Sequence, residues 1–444
     1  MTRATRTSAT GTRPTEMSAT GTRAFRVLMY GLILASAAAQ FALVPVMPDY
    51  AHRLGLSGFQ QGLVLGATGL ATLAVSVPAG TLSDRFGARR ITLAAGVLMA
   101  AATLGQALAG GFPALLAARL AFGAGYGVLW TAGLCWLAAT AGGPRALGGS
   151  VASAGVGGVA GPAISGALTE HLGLAVPLLA AAAGFAVITA GLAALRVPAF
   201  VAGSRPAATA AGLRTAGRDR CIIGAAAAVV TAGLSTGACA LLVPAQLHLA
   251  GASSGQIGLA FAAAGILFAA GSALTTAAGG RAVNLPVICG GMVVLTAGLW
   301  IGVLSTASVT LIVMLCVSTA ARSVLWTVSY PLAATAAERR GIGLGAAVGL
   351  LNGVWAATAV LGPLGAGLAA EHLGSRAAFG LTAAACAAAL AVTVAAATGR
   401  TRLTDRQAAS RGPGRTRLTN RQAAGRGPGS DSVPVGHSSR TTVP

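Results

Sequence analysis

Lysine is absent from this 444-residue sequence; all 30 basic residues are arginine. Acidic residues number nine, and charged residues of both signs make up 9% of the chain, against about 25% in a soluble domain. A chain so poor in charge cannot cover a water-exposed globule with polar groups. The six cysteines (Cys135, Cys221, Cys239, Cys289, Cys316 and Cys386) lie inside or at the ends of apolar segments, with no metal-ligand spacing and no disulfide framework. They read as small buried apolar residues. A catalytic His/Cys/Asp cluster, a phosphate-binding loop and a nucleophile motif are all missing, so no enzyme activity, cofactor or metal is expected. The net charge of +21 does not point to nucleic acid, because few polar groups accompany it. The exclusive use of arginine reads as a high-GC coding bias, and a bacterial source is expected.

What is present is apolar and small: 55% hydrophobic residues and 64 glycines. A bilayer core about 30 Å thick is crossed by roughly 20 apolar residues in a helix, and small residues let such helices pack closely. Twelve spans are expected, at about 26–48, 59–82, 91–110, 112–139, 145–169 and 174–195, then 221–247, 256–279, 284–305, 308–334, 341–369 and 377–398. With the N-terminus in the cytoplasm, twenty-six of the arginines fall inside. Only Arg53 and Arg376 fall outside, and Arg119 and Arg322 fall within spans. This bias sets the orientation and favours an even number of spans. Both termini are expected in the cytoplasm of a multi-pass plasma-membrane protein. The start could instead be a cleaved signal peptide, with Ala35-Ser36-Ala37 as the cut site. The apolar run to Met47 is longer than a signal core, which favours an uncleaved first helix.

Residues 1–25 and 399–444 read as disordered, Arg-rich tails on composition. Each contains a short repeat: Ser-Ala-Thr-Gly-Thr-Arg in the first, Thr-Arg-Leu-Thr-Asp/Asn-Arg-Gln-Ala-Ala in the second. Between them the chain is duplicated. Gly161-Pro162 and Glu170-His171-Leu172-Gly173 recur at an offset of 201 as Gly362-Pro363 and Glu371-His372-Leu373-Gly374. Val128-Leu129-Trp130-Thr131 recurs as Val324-Leu325-Trp326-Thr327. An all-α membrane protein is expected, with a six-helix bundle over 26–195, a cytoplasmic linker over 196–220 and a second bundle over 221–398. In such a pair a small-molecule substrate sits between the halves, near mid-membrane.

The link between the second and third spans reads Gly80-Thr81-Leu82-Ser83-Asp84-Arg85-Phe86-Gly87-Ala88-Arg89-Arg90. It resembles the signature cytoplasmic loop of the major facilitator superfamily. The resemblance implies that fold, a monomeric carrier, and a latch made by Gly80, Asp84, Arg85, Gly87, Arg89 and Arg90 that joins the two bundles in the outward-facing state. Asp84 would pair with an arginine and face the positive end of a helix, and Gly87 would permit the turn of a five-residue loop. The equivalent segment of the second half, Ala278-Gly279-Gly280-Arg281, has no acid, so one latch is expected.

Arg119 and the following Gly123 and Gly125 resemble the family's R-x-x-x-G-x-G motif, whose arginine is thought to tune a protonatable acid. The alternative is an arginine that snorkels to the interface. Gly148, Gly157, Gly161, Pro162 and Gly166 resemble the antiporter motif of drug/proton exchangers, with Ser165 where glycine is usual. They imply a pliable gate helix and favour export; the plainer reading is close packing alone. Gln40, Tyr126, Trp130, Arg322, Trp326, Tyr330, Asn352 and Trp355 are the candidates for a substrate cavity with aromatic walls. The carboxylates fit this scheme poorly, since none lies deep in a span. Asp49, at the outer end of the first span, is the candidate proton carrier, and the coupling ion is expected to be a proton. The expected function is secondary active, proton-coupled efflux of small amphipathic molecules or drugs. Its rivals are an uptake or metabolite carrier of the same fold and a non-transporting membrane sensor.

Overall fold

The computed structural model describes residues 19–141, 144–195, 197, 219–340 and 344–410. The segments expected as tails before residue 19 and after 410, nearly all of the 196–220 linker and the side chain of Arg145 lie outside the described residues. The first half comprises α1 (Ala19–Leu54), α2 (Gly58–Phe86), α3 (Ala88–Ala107), α4, α5 (Pro144–Leu172) and α6 (Val176–Ala194). Helix α4 runs over Phe112–Val128, loosens into a π-helical turn at Leu129–Gly133 and resumes over Leu134–Ala141. The second half comprises α7 (Arg220–Leu249), α8 (Ser254–Ala277), α9 (Leu285–Leu304), α10 (Ser308–Arg339), α11 (Leu344–Leu373) and α12 (Ser375–Ser410). Among the described residues, twelve helices are long and apolar enough to cross a bilayer, as the sequence implied.

The helices overrun the expected spans. Helix α1 begins at Ala19 rather than near 26, and α12 continues to Ser410, where a tail was expected from 399. The link between α2 and α3 is not a five-residue loop. It is Gly87 alone, at φ +86°, a conformation that glycine adopts without strain. Most of the signature segment is therefore helical. Helix starts follow capping chemistry. Ser57 and Gln60 form a capping box at α2, and Ser253 and Gln256 form the matching box at α8.

Within the first half α1 packs on α5, and α4 on α2 and α3; within the second α7 packs on α10 and α11, and α10 on α8 and α9. The halves meet mainly through α2 on α11 and α5 on α8. The core explains which end is closed. Leu43, Val46, Met47 and Tyr50 of α1 share one buried cluster with Leu241, Leu242 and Val243 of α7. Toward the Arg-rich end the clusters separate. Phe25, Met29, Ile33 and Trp136 form one within the first half, and Ala225, Val229, Ala333 and Leu351 another within the second. The molecule is thus joined at its Arg-poor end and parted at its Arg-rich end.

At the Arg-rich end Asp219 caps α7, accepting from the amides of Cys221 (2.9 Å) and Ile222 (3.4 Å). It also accepts from Nε of Arg340, beyond the C-terminus of α10, at 2.9 Å. This is the single ion pair among the described residues. Burial disfavours the Asp219 charge, but the Cys221 amide, Arg340 and the Ile222 amide outweigh it and hold the carboxyl below its ordinary value. A depressed folded-state pKa gives stability that is complete above the ordinary carboxylate value and is lost as pH falls through the lowered one. Asp219→Ala is expected to cost about 0.5–2 kcal/mol at neutral pH. In thermal unfolding of the purified protein, the difference from wild type should shrink below about pH 4.

Candidate functional site

The signature segment lies at the parted end. Asp84 has no hydrogen-bond or ion-pair partner among the described residues; the pairing expected of it belongs to the outward-facing state. The reason is geometric, because the halves do not meet here. An added side chain at Gly80, Gly349 or Gly353 would touch nothing within 4 Å. Arg89 turns to its own half. Its Nη2 donates to the carbonyls of Ala193 (2.8 Å) and Leu195 (3.2 Å) at the C-terminus of α6, a favourable place for a cation. The Arg85 guanidinium sits 5.2 Å from the centre of the neighbouring Phe86 ring.

The glycine motif of α5 faces two ways. Gly157 and Gly161 lie against the backbone of Leu34 and Ala38 in α1. Gly166 lies against Ser254, and the Pro162 carbonyl against Gly258, both in α8. Gly148 meets nothing. Ser165, the departure from the motif, donates to the Ala42 carbonyl at 2.7 Å and so binds α5 to α1. Helix α11 repeats the plan. Gly362 lies against α7, and Pro363 and Gly367 lie against Gly62 and Gly58 of α2.

Arg119 is 1% exposed, and it does not snorkel. Its Nη2 donates to the Gln40 carbonyl at 2.7 Å and to Gln40 Oε1 at 3.3 Å, and its Nη1 to Gln106 Oε1 at 3.5 Å. The Phe122 ring lies 5.3 Å below it. Half-buried Gln40 is thus the principal partner of Arg119. Arg322 is 8% exposed and far less well served. One Nη donates to Thr319 of its own helix, the other has no partner, and the Cys239 thiol of α7 lies alongside. No carboxylate pairs with either guanidinium among the described residues. An uncompensated ion in a low-dielectric site costs several kcal/mol, so Arg322 is the less satisfied of the two.

Arg322, Trp326 and Tyr330 are spaced four apart along one side of α10, running from depth toward the parted end. Trp326 and Tyr330 stack at 5.8 Å with 10° between their planes. Trp355 of α11 meets Trp326 edge-on at 6.3 Å. The Tyr330 hydroxyl donates to Asn352 Oδ1 at 2.8 Å, and Asn352 is exposed although it lies within a span. In the first half Tyr126 and Trp130 approach to 5.9 Å, with Trp130 on the π-helical turn. Seven of the eight cavity candidates thus belong to two aromatic-bearing patches, and Gln40 to the Arg119 shell. Gln106, whose carbonyl also accepts from the Tyr50 hydroxyl at 3.3 Å, is a partner that sequence spacing does not reveal. Asp49 lies at the joined end, where its carboxylate accepts from the Ser254 hydroxyl of α8.

A family profile described as Major Facilitator Superfamily matches residues 29–346. The chain belongs to that superfamily. It is a membrane transporter and not an enzyme. Among solved structures, it is similar to a bacterial homolog of the human lysosomal transporter Spinster in an inward-facing, unoccupied conformation. The TM-score is 0.71 at 16% identity, covering 88% of this chain and 99% of that one. The occupied form of the same homolog gives 0.71 at 15%, covering 86% and 98%. A variant of the nucleoside transporter NupG gives 0.67 at 14%, covering 84% and 99%. No curated protein is significantly similar to it in sequence.

The glycine contacts generate a test. A Cβ on Gly62 would fall within 3 Å of the Pro363 backbone across the interface, where overpacking costs about 1–3 kcal/mol. Gly62→Val should lower the melting temperature of this transporter and loosen its joined end. Gly148→Val, in open space, should leave the melting temperature unchanged.

Proposed function

We propose that this transporter exports small amphipathic molecules by alternating access, and that the conformation described is open to the cytoplasm. The single observation that carries the alternating-access reading is the asymmetry of the core: one end fused across the halves, the other parted. The arginine bias assigns the parted end to the cytoplasm. The unengaged Asp84 segment agrees with a latch that closes only in the opposite state. A similar solved transporter is described as inward-facing. Export, rather than uptake, is favoured by the likeness of α5 to the antiporter motif.

The stacked Trp326 and Tyr330, edge-on Trp355 and exposed Asn352 amide supply apolar surface with a few polar anchors, which suits amphipathic cargo. Arg322 adds a demand for negative charge. Cargo carrying a carboxylate or another acceptor group would complete its hydrogen bonding. Proton coupling, with Asp49 as carrier and Arg119 as its tuning partner, rests on family resemblance.

One observation favours a second reading, a metabolite carrier of the same fold without proton coupling. Among the described residues, the acids in or next to the spans sit at helix ends. The charge that cargo would meet within the membrane is a guanidinium.

Everted vesicles containing the protein should accumulate fluorescent amphipathic anions, and an uncoupler should abolish this accumulation. Accumulation that persists with the uncoupler selects the second reading, and no movement of any probe rejects transport of this cargo class. Arg322→Gln should reduce anion transport tenfold or more, the scale of one charge-assisted hydrogen bond, while a neutral dye is less affected. Asp49→Asn should flatten the pH dependence of transport. An unchanged profile removes Asp49 as the proton carrier.

A further inference from the structure

The joined end carries a device that occurs twice. Glu371, in the last turn of α11, belongs to the second half. Its Oε2 accepts from the backbone N–H of Phe59, in the first turn of α2 in the first half, at 2.9 Å. Ser57, which caps α2, lies two residues before Phe59. Glu170, in the last turn of α5, belongs to the first half. Its Oε2 accepts from the hydroxyl of Ser253, the residue that caps α8 in the second half, at 3.0 Å. A Cβ on Gly255 would collide with this carboxylate, so the glycine leaves the space it occupies. Glu170 and Glu371 are the duplicated acids of the two Glu-His-Leu-Gly segments. The helix starts they grip are also duplicates: Ser57 and Gln60 on one side, Ser253 and Gln256 on the other.

The placement is unfavourable within each half taken alone. A carboxylate in the last turn of a helix faces the negative end of its own macrodipole, where a cation would be favoured. The first turn of the opposing helix, with its unpaired N–H groups and positive dipole end, is the reverse. Each glutamate is therefore misplaced in its own bundle and well placed only when the other bundle is against it. A contact that is favourable in one state of a two-state molecule and absent in the other shifts the balance between them. The capping boxes sharpen this. Ser57 and Gln60 already satisfy each other's backbone amides, which leaves the Phe59 amide for Glu371.

We propose that Glu170 and Glu371 are paired gating residues of the transport cycle. Each closes the Arg-poor side by holding the opposing bundle's helix start, and each releases it when the bundles rock. They act by positioning the bundles and need not touch cargo. Asp49 reinforces the Glu170 side through Ser254. The proposal rests on the alternating-access reading.

Hydrogen–deuterium exchange of the full-length protein in lipid nanodiscs tests it without any transported solute. In the double variant Glu170→Gln, Glu371→Gln, exchange at the first turns of α2 (59–61) and α8 (255–257) should rise about threefold to tenfold, the scale of replacing a charge-assisted hydrogen bond by a neutral one. Exchange around the α2–α3 junction (86–91) should fall, as opening at one end closes the other. That reciprocal slowing separates a gate from a merely structural contact, which would loosen the Arg-poor end and leave the junction unchanged. Exchange like wild type at both first turns, or faster first turns with an unslowed junction, overturns the proposal. If the double variant does not fold, each single variant carries the same expectation: Glu371→Gln at 59–61 and Glu170→Gln at 255–257, each with the slowed junction. Failure of the wild type to move solute would count against the transport reading and would leave the exchange result standing.

Discussion

The structure depends on how closely two helix pairs approach where glycines remove the side chains between them. Gly58, Gly62 and Gly66 of α2 lie against the backbone of α11, and Gly166 and Gly258 bring α5 against α8. Between apolar helices in lipid the hydrophobic effect contributes little, so association rests on dispersion and on polar contacts that only close approach permits. Dispersion falls steeply with separation, so such an interface is either made or not made. The result is a joint confined to one end, with the other end left parted.

Charge is arranged around that joint. The bilayer tolerates few ions, and among the described residues nearly all of the charge lies at helix ends. The exceptions there are Arg119, whose two Nη atoms are held by Gln40 and Gln106 over the Phe122 ring while its Nε has no partner, and Arg322, which has one Nη on Thr319 and the other without a partner. Arg119 thus has both ends of its guanidinium fork bound across helices, and Arg322 has one end bound within its own helix. At the Arg-rich end polar bonding runs within each half: Arg89 to the end of α6, Asp219 to Arg340. At the Arg-poor end, carboxylates cross between the halves. The molecule is thus bound within its halves at one end and between its halves at the other.

Much of this was legible in the sequence. Twelve apolar runs, the arginine bias and the duplicated Gly-Pro and Glu-His-Leu-Gly segments specify the number of helices and the two-fold plan, because a lipid environment leaves few alternatives to helices. Helix ends were less legible. Hydropathy marks where a helix leaves the hydrocarbon, not where it stops, and a link of one glycine is invisible to a rule that assumes a loop. Asp219 carried a signal, an acid just before an apolar run, that capping chemistry explains. Long-range polar partners carried none. Arg119 and Gln40 are 79 residues apart, and Glu371 and Phe59 are 312 apart. An acid at a helix terminus reads as a solvated charge until the opposing helix start is seen.

The central claim is that two nearly rigid halves exchange which end is joined. It is tested most directly by pulsed dipolar distance measurements between labels at Phe86 and Arg339, both exposed at the Arg-rich end of opposite halves. The account predicts two distance populations in lipid, with the shorter one growing when a transported anion is added. A single distance that no solute or membrane gradient alters would contradict it.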